Sequence, residues 1–422
     1  MSQSPKPYLI FVPHYIGSFR YYEKLKPFLE DRYRVAFLIS FVHEGSFNEM
    51  KQYSENRGYK TFLLRPVSFL STNKKFGIFS YLLKLLRYRL EISRIFKEFK
   101  IAKVIAPNDS GLYSRYLFKV AKSKGAETLV LQWAMSYEGS RERQRKETVS
   151  YRKLLYQFLK PLYAFFKRSV ARLTLGFGFD LGKDLVGFGN SDRMGVMNER
   201  ALKHFLSNGV SPEKLSVVGY LDHYFAEAVK KELDQNLAKR EAVFKKFGLD
   251  PLRKNIVFFS SIYSGKDLFV LSQEGQYEFT KKIFESIRKV CPESEHDLSL
   301  KIHPAEDIEL YRPLEKMGVK IFGKDTDNYE LIYCNDLYIA GGTATNFVPL
   351  IMGKDAIFIN FLKLPVIEAT KEVFNIKKFM TDYGEFENLL SLFKEGKLPK
   401  QYENMEGIVT KDSLSKIVRW IG

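Results

Sequence analysis

Two short stretches of the chain place side chains that can hold an anion directly after an apolar, β-rich run. The run at 298–302 leads into His303-Pro304, and the run at 336–340 breaks into a Gly-Gly-Thr-Ala-Thr-Asn turn at 341–346. A protonated imidazole donates from both ring nitrogens, and a turn before a helix exposes backbone N–H groups. Because ligands bind outside the carboxyl ends of strands in open α/β sheets, we expect two neighbouring strands to face one nucleotide phosphate.

The predicted nucleotide-binding residues lie at or beside these strand ends. Ser260 and Ser261 join them because they follow the first apolar run of the same half of the chain. Thr343 and Thr345 also suit N-caps, which is compatible with anion binding because the turn keeps its N–H groups exposed. For His303 the alternative is a turn-capping role, and for the serines it is a polar turn. The full set is Ser260, Ser261, Lys301, His303, Pro304, Gly341, Gly342, Thr343, Thr345 and Asn346.

Alternating strands and helices must position these residues. Short apolar runs alternate with helical periodicity over 8–131, and the pattern resumes over 193–359. This βαβα order predicts doubly wound α/β domains with parallel sheets. Because 422 residues exceed one comfortable core, we expect two domains, at 1–250 and 251–410, followed by a C-terminal helix at 411–422.

A basic insertion at about 141–175 interrupts the first predicted domain. Residues 141–172 carry ten basic side chains against Glu142 and Glu147, and leucines and aromatic residues recur at helical spacing. Such a basic amphipathic helix is typical of segments that lie on an anionic membrane surface. The alternative is an ordinary helix whose apolar side packs on the core. We predict membrane contact through 151–172.

The net charge indicates what kind of partner the protein binds, and the cysteine content indicates in which cellular compartment it occurs. The formal charge of +18 suits an anionic partner, which would be nucleic acid, acidic lipid or a phosphorylated substrate, and the alternative is that it reflects a generally basic proteome. Two cysteines exclude a disulfide framework and fit a reducing cytoplasm. A short polar start at 1–7, without a signal peptide, and the lack of any long apolar stretch predict a cytoplasmic protein, soluble or peripheral on the inner membrane. Neither a P-loop nor metal-ligand spacing occurs, so we expect no cofactor and no metal.

The domain pattern and three motifs resemble the GT-B class of nucleotide-sugar glycosyltransferases, whose two Rossmann-like domains face a cleft. The stretches 189–219 and 334–345 are similar to the domain-closing units and the donor-binding turn of bacterial surface-polysaccharide transferases. Lys301-Ile-His303-Pro304 resembles the His-Pro motif of bacterial sialyltransferases, capsule Kdo transferases and glycerol-phosphate polymerases.

The resemblance implies a metal-independent glycosyltransferase that builds a capsule, lipopolysaccharide or related surface glycan. Many GT-B enzymes bind the donor ribose with a Glu after the Gly-Thr turn, but 346–350 has no carboxylate. The resemblance therefore favours CMP-linked acidic sugars over CDP- and UDP-linked donors, with a glycan or lipid-linked acceptor on the first domain. The general base for the acceptor hydroxyl would be Asp109, then Glu138, then His14, although Asp109 also suits a turn.

Two other functions fit parts of the sequence. A UDP-N-acetylhexosamine 2-epimerase has the same two-domain architecture, although the carboxylates expected around its donor turn are missing. The charge alone suits a basic nucleic-acid-binding protein. The chain lacks the known modules of such proteins, and its basic residues concentrate in one amphipathic segment, so we expect no nucleic-acid partner.

Overall fold

The structure is a computed structural model of the chain, and it describes most of the sequence. The described residues are 5–40, 44–64, 78–132, 169–170, 172–176, 186–261, 263, 270–304, 306–368, 370–402 and 406–422. Glu138 and most of the predicted insertion at 141–175 lie outside these ranges, so the predictions made for them stay predictions.

Twelve strands are seen in the described residues, and they form two parallel sheets. Several are buried along their whole length because helices cover both faces of such sheets, which explains their continuous apolar sequences. The strands are β1 (Tyr8–Phe11), β2 (Arg34–Ile39), β3 (Thr61–Leu63), β4 (Ile101–Ala106), β5 (Glu127–Leu131), β6 (Arg193–Val196), β7 (Leu215–Val217), β8 (Lys254–Phe259), β9 (His296–Lys301), β10 (Val319–Phe322), β11 (Leu337–Ala340) and β12 (Asp355–Phe358).

The helices of the described residues alternate with these strands. They are α1 (Ile16–Glu23), α2 (Glu44–Asn56), α3 (Ile78–Glu98), α4 (Leu112–Ser123), α5 (Glu199–Ser207), α6 (Leu221–Gln235), α7 (Leu237–Phe247), α8 (Gln273–Val290), α9 (Asn328–Tyr333), α10 (Phe347–Met352), α11 (Pro365–Glu368), α12 (Lys371–Phe374), α13 (Tyr383–Lys394) and α14 (Ser413–Ile421). None of these described helices has both the length and the apolar character needed to cross a bilayer.

Unit 1 comprises Met1–Val218 and Leu414–Gly422, and its sheet has the order β3-β2-β1-β4-β5-β6-β7. The predicted C-terminal helix is present as α14 and belongs to this unit. Its Trp420 packs on β6, where a Cβ added to Gly195 would lie 3.2 Å from the indole ring. The guanidinium of Arg193 lies 5.2 Å from the same ring. Gly195 therefore leaves room for the tryptophan that anchors the end of the chain.

Unit 2 comprises Gly219–Ser413, and its sheet has the order β10-β9-β8-β11-β12. The chain thus divides after residue 218 and not near the expected residue 250. The reason is that α6 and α7 bond to α9 of unit 2: Tyr333 donates to Asp234 at 2.7 Å, and Lys246 pairs with Glu330 at 2.5 Å. Both sheets are parallel and alternate with helices, which confirms the α/β fold class.

Candidate functional site

The predicted nucleotide-binding residues follow β8, β9 and β11, whose carboxyl ends share one edge of the parallel sheet of unit 2. The expectation that β9 and β11 are neighbours is wrong, because β8 lies between them. Strands are spaced about 4.8 Å apart, so the ends of β9 and β11 are separated by about 10 Å. A single phosphate cannot bridge that distance, whereas an extended nucleotide can. The middle position belongs to Ser260 and Ser261, which follow β8.

A hydrogen-bond network centred on Glu306 joins the ends of β8 and β9. The Ser260 hydroxyl donates to the Glu306 carboxylate, and the backbone N–H of His303 donates to both, at 2.8 Å to each acceptor atom. Tyr311 donates to the other carboxylate oxygen at 2.5 Å. Burial raises the pKa of Glu306, against the opposing effect of these hydrogen bonds. Glu306 therefore fixes the backbone of the His-Pro turn.

Sequence reasoning missed Glu306, although a signal for it was present. Pro304 follows His303 and is exposed, as expected for the second residue of a β-turn, where proline is preferred. The turn closes with the N–H of Glu306 donating to the carbonyl of His303 at 2.9 Å. In a turn of the sequence His-Pro-x-Glu, the carboxylate of Glu306 therefore lies within hydrogen-bond distance of the backbone N–H of His303.

The imidazole of His303 is neutral at neutral pH. Burial lowers its pKa to about 4, and the charge of Lys301 lowers the pKa further. The expected cationic form therefore requires a nearby anion to raise this pKa. A neutral imidazole can still donate one hydrogen bond. Lys301 places a positive charge at this edge, and its buried ammonium group donates to the carbonyl of Ile302 at 3.0 Å.

The turn after β11 is held by a second network. Asn346 is fully buried; its amide donates to the carbonyl of Gly341 at 2.9 Å and accepts from Tyr338 at 3.0 Å. Asn346 was expected to bind the ligand, but these bonds assign it to the shape of the turn. The hydroxyls of Tyr338 and Thr345 lie 2.9 Å apart, and Thr343 accepts from the N–H of Thr345 at 3.4 Å. Thr343 therefore caps the turn, as its sequence position allows.

The two glycines of this turn face tightly packed neighbours. A Cβ on Gly341 would lie 2.9 Å from the hydroxyl of Tyr263, which is itself buried. A Cβ on Gly342 would meet Ile367 at 3.4 Å. Gln276 of α8 connects to the same region, because its amide donates to the carbonyl of Ser261 at 3.0 Å. The loop after β8 and the turn after β11 are therefore packed together.

Asp109, the first choice for the general base, lies inside unit 1. It is 0% exposed, accepts from Ser191 at 2.6 Å, and pairs with Lys214 at 3.0 Å. The N–H of Gly187 donates to its other oxygen at 2.7 Å. An acceptor hydroxyl cannot reach such a group, so the structure corrects this expectation: Asp109 is a buried ion-pair partner that holds the residues before β6.

His14 lies just after β1, at the carboxyl edge of the sheet of unit 1. Burial lowers its pKa to about 4, so the imidazole is neutral at neutral pH. Its Nδ1 lies 3.4 Å from the amide nitrogen of Asn108, and its backbone N–H donates to Ser18 at 2.9 Å. A neutral imidazole can accept a proton, so His14 keeps its place as a predicted general base. Within the described ranges, acidic, histidine and cysteine side chains form no group that could hold a metal ion.

These two α/β units, each built on one parallel sheet, have the GT-B fold. The UDP-GlcNAc 2-epimerase of Methanocaldococcus jannaschii is similar with a TM-score of 0.56 at 14% identity, covering 99% of each chain. The UDP-GlcNAc 2-epimerase of Neisseria meningitidis, bound to UDP-GlcNAc, has a TM-score of 0.57 at 11% identity and also covers 99% of each chain.

The wall teichoic acid polymerase TagF is similar with a TM-score of 0.55 at 11% identity, covering 99% of this chain and 87% of that chain. No protein-family profile and no curated protein matches the chain. The structural similarity shows a shared fold. Because the sequence identities are this low, the reaction has to be argued from the residues of the site.

Proposed function

We propose that the protein is a glycosyltransferase that moves a sugar from a nucleotide-sugar donor to a surface-glycan or lipid-linked acceptor. The observation that carries the proposal is the grouping of Ser260, His303 and Thr343 at one edge of the unit 2 sheet, the edge where α/β proteins bind ligands. Similar structures include a teichoic acid polymerase and epimerases bound to UDP-GlcNAc or to UDP-GlcNAc and UDP, which supports a nucleotide sugar as the ligand.

The chemistry of this edge suits a nucleotide leaving group. Negative charge grows on the departing phosphate, and fixed donors in a buried site stabilise it. His303 offers an N–H group, and Lys301 supplies a positive charge next to it. An anion beside the imidazole favours its protonated form, so we expect donor binding to raise the pKa of His303 and to take up protons in weakly acidic buffer.

We place CMP-linked acidic sugars ahead of CDP- and UDP-linked ones. The support is that α10, directly after the Gly-Thr turn, has the sequence FVPLIM and thus carries no carboxylate for a donor ribose. No metal and no cofactor enter the proposal. His14 and Glu138 are the proposed candidates for the general base.

A UDP-N-acetylhexosamine 2-epimerase is the second candidate, because epimerases are among the similar structures and match over 99% of both chains. The two reactions differ in their net products. Epimerisation inverts C2 and exchanges its carbon-bound hydrogen while the product remains a nucleotide sugar, whereas transfer moves the sugar to an acceptor and releases the nucleotide.

A panel of CMP-, CDP- and UDP-sugars tests both candidates in heavy water. Mass spectrometry would follow deuterium in the sugar, and chromatography would follow the released nucleotide. Transfer predicts nucleotide release that grows when acceptor glycolipids are added, without deuterium in the sugar. Deuterium at C2 without nucleotide release would establish the epimerase, and no thermal shift with any donor would contradict both.

A further inference from the structure

Helix α3 of unit 1 has apolar residues on two opposite faces. One face packs on the core, and its residues Leu85, Tyr88 and Ile92 are at most 3% exposed. On the other face, Leu83 and Leu90 are 66% and 70% exposed. Leu83, Leu86 and Leu90 are spaced as i, i+3 and i+7. Because successive residues of a helix are rotated by about 100°, these three side chains lie within an arc of about 60°, roughly opposite the core face.

This outer face, here called the leucine stripe, consists of Leu83, Leu86 and Leu90. A further leucine, Leu173, is 62% exposed and precedes Thr174, whose carbonyl accepts from Arg89 of α3 at 3.1 Å. The described residues contain eleven exposed large hydrophobic side chains, and three of them form this stripe. A cluster of exposed leucines marks an interaction surface, whereas single ones need no explanation.

The charges around the stripe indicate which partner it fits. Helix α3 carries five basic and two acidic residues, an excess of three positive charges. Both acidic residues form ion pairs with arginines of the same helix, Arg87–Glu91 at 2.6 Å and Arg94–Glu98 at 2.5 Å. A leucine face flanked by basic side chains is the pattern of helices that lie in the headgroup region of a membrane.

We infer that the leucine stripe of α3 docks unit 1 onto the surface of a bilayer that contains anionic phospholipid. A second copy of a chain with a formal charge of +18 would bring like charges together at this face, whereas anionic lipid would neutralise them. Arg172, the last residue of the basic stretch predicted to meet lipid, belongs to the same unit as the stripe and precedes the Leu173-Thr174 segment that Arg89 of α3 contacts. The inference does not depend on the reaction that the protein catalyses.

Flotation of the full chain with vesicles tests the inference directly. We expect the wild type to float with phosphatidylcholine vesicles that contain phosphatidylglycerol, and to stay behind with phosphatidylcholine alone or in high salt. The double variant Leu83→Ser/Leu90→Ser should lose about tenfold or more of this partitioning. The matched control is Leu237→Ser/Leu252→Ser, which changes leucines that are 68% and 94% exposed in unit 2 and should float like the wild type.

A fluorescent label gives a second readout that does not depend on removing the stripe. Both native cysteines are buried, so a cysteine introduced as Leu86→Cys can be labelled selectively with an environment-sensitive dye. We expect its emission to shift to the blue on anionic vesicles, while a label at Leu252→Cys stays unchanged. The inference is overturned if the wild type does not float, if the Leu83/Leu90 variant floats equally well, or if the label at position 86 does not respond. It is also overturned if the wild type is a dimer that this variant dissociates, because a second copy would then cover the stripe.

Discussion

Replacing Glu306 separates two roles that its carboxylate can have in the site. As the geometry stands, Glu306 accepts from Ser260, His303 and Tyr311, and so holds the His-Pro turn against β8. If this is its role, Glu306→Ala should loosen the turn and weaken nucleotide binding. Glu306→Gln should keep most of the binding, because an amide of the same shape still offers an oxygen to the N–H of His303 and an N–H to Tyr311.

The magnitude follows from the bonds that are lost. Hydrogen bonds to a charged group contribute about 1.5–3 kcal/mol each. The N–H of His303 keeps Ser260 as a partner at 2.8 Å, and Tyr311 keeps Gln276 and Thr280, so the three contributions do not add in full. We therefore expect Glu306→Ala to lower the free energy of unfolding by about 3 kcal/mol and Glu306→Gln by about 1 kcal/mol.

Urea unfolding measures the stability of these variants, and titration calorimetry with the best-binding nucleotide measures their affinity. We expect Glu306→Ala to weaken binding at least about tenfold, corresponding to about 1.4 kcal/mol, and Glu306→Gln to weaken it far less. If both variants lost affinity equally, Glu306 would act through its charge. If Glu306→Ala bound and unfolded like the wild type, the reasoning about the turn would be refuted.

Three further changes test other parts of the structure. Thr343→Val keeps the side-chain shape but removes the hydroxyl that accepts from the N–H of Thr345. Calorimetry should then show nucleotide affinity reduced about fivefold to tenfold. Unchanged affinity would mean that this hydroxyl has no role in nucleotide binding. Lys214→Met leaves the buried carboxylate of Asp109 unpaired and should cost about 3–5 kcal/mol in urea unfolding, whereas adding Asp109→Asn should restore much of it; a lone Lys214→Met without effect would contradict the buried pair. Burial lowers the pKa of His223 to about 3, below its value near 6.5 in the unfolded chain, so protons bind the unfolded chain first and stability is lost as the pH falls below about 6.5. Between pH 6.5 and 4.5 this group should account for about 2–3 kcal/mol, a loss absent from His223→Asn, and equal acid sensitivity of both proteins would refute that assignment.

Local signals allowed much of the fold to be predicted. Apolar residues that follow a capping or turn residue predict helices at 199–207, 328–333 and 347–352, and the structure has helices with these bounds at Glu199–Ser207, Asn328–Tyr333 and Phe347–Met352. The helix at Tyr383–Lys394 was missed, although Asp382 and Glu385 have the spacing of a capping box and Asp382 caps it.

Two helical stretches differ from their simple apolar periodicity because of a single residue in each. Helical periodicity in the sequence predicts one helix over 225–247. The structure instead has two, Leu221–Gln235 and Leu237–Phe247, because Asn236 leaves the helical conformation and its side chain accepts from the N–H of Lys239 at 3.0 Å. The stretch Ile308–Met317 is a 3-10 helix that contains Pro313, which cannot donate a backbone hydrogen bond.

In the candidate site, the sequence predicted the residue types but not the long-range contacts between them. Residue types and strand ends identified His303 and the Gly-Thr turn, because both follow apolar runs. Sequence order could not reveal that β8 pairs between β9 and β11, since sheet order is set by long-range pairing. The burial of Asp109, which rules it out as the general base, could not be predicted either, because its partner Lys214 lies 105 residues away in the chain.

The central claim is that a nucleotide phosphate binds at the carboxyl edge of the sheet of unit 2. Crystals soaked with CMP, CDP and UDP test it most directly. The account predicts a phosphate oxygen within hydrogen-bond distance of the His303 imidazole, about 3 Å, with the remainder of the nucleotide extending along the end of β8 toward the turn at Thr343. A nucleotide bound with its phosphate away from His303, or soaked crystals in which this edge stays empty at saturating nucleotide, would contradict it.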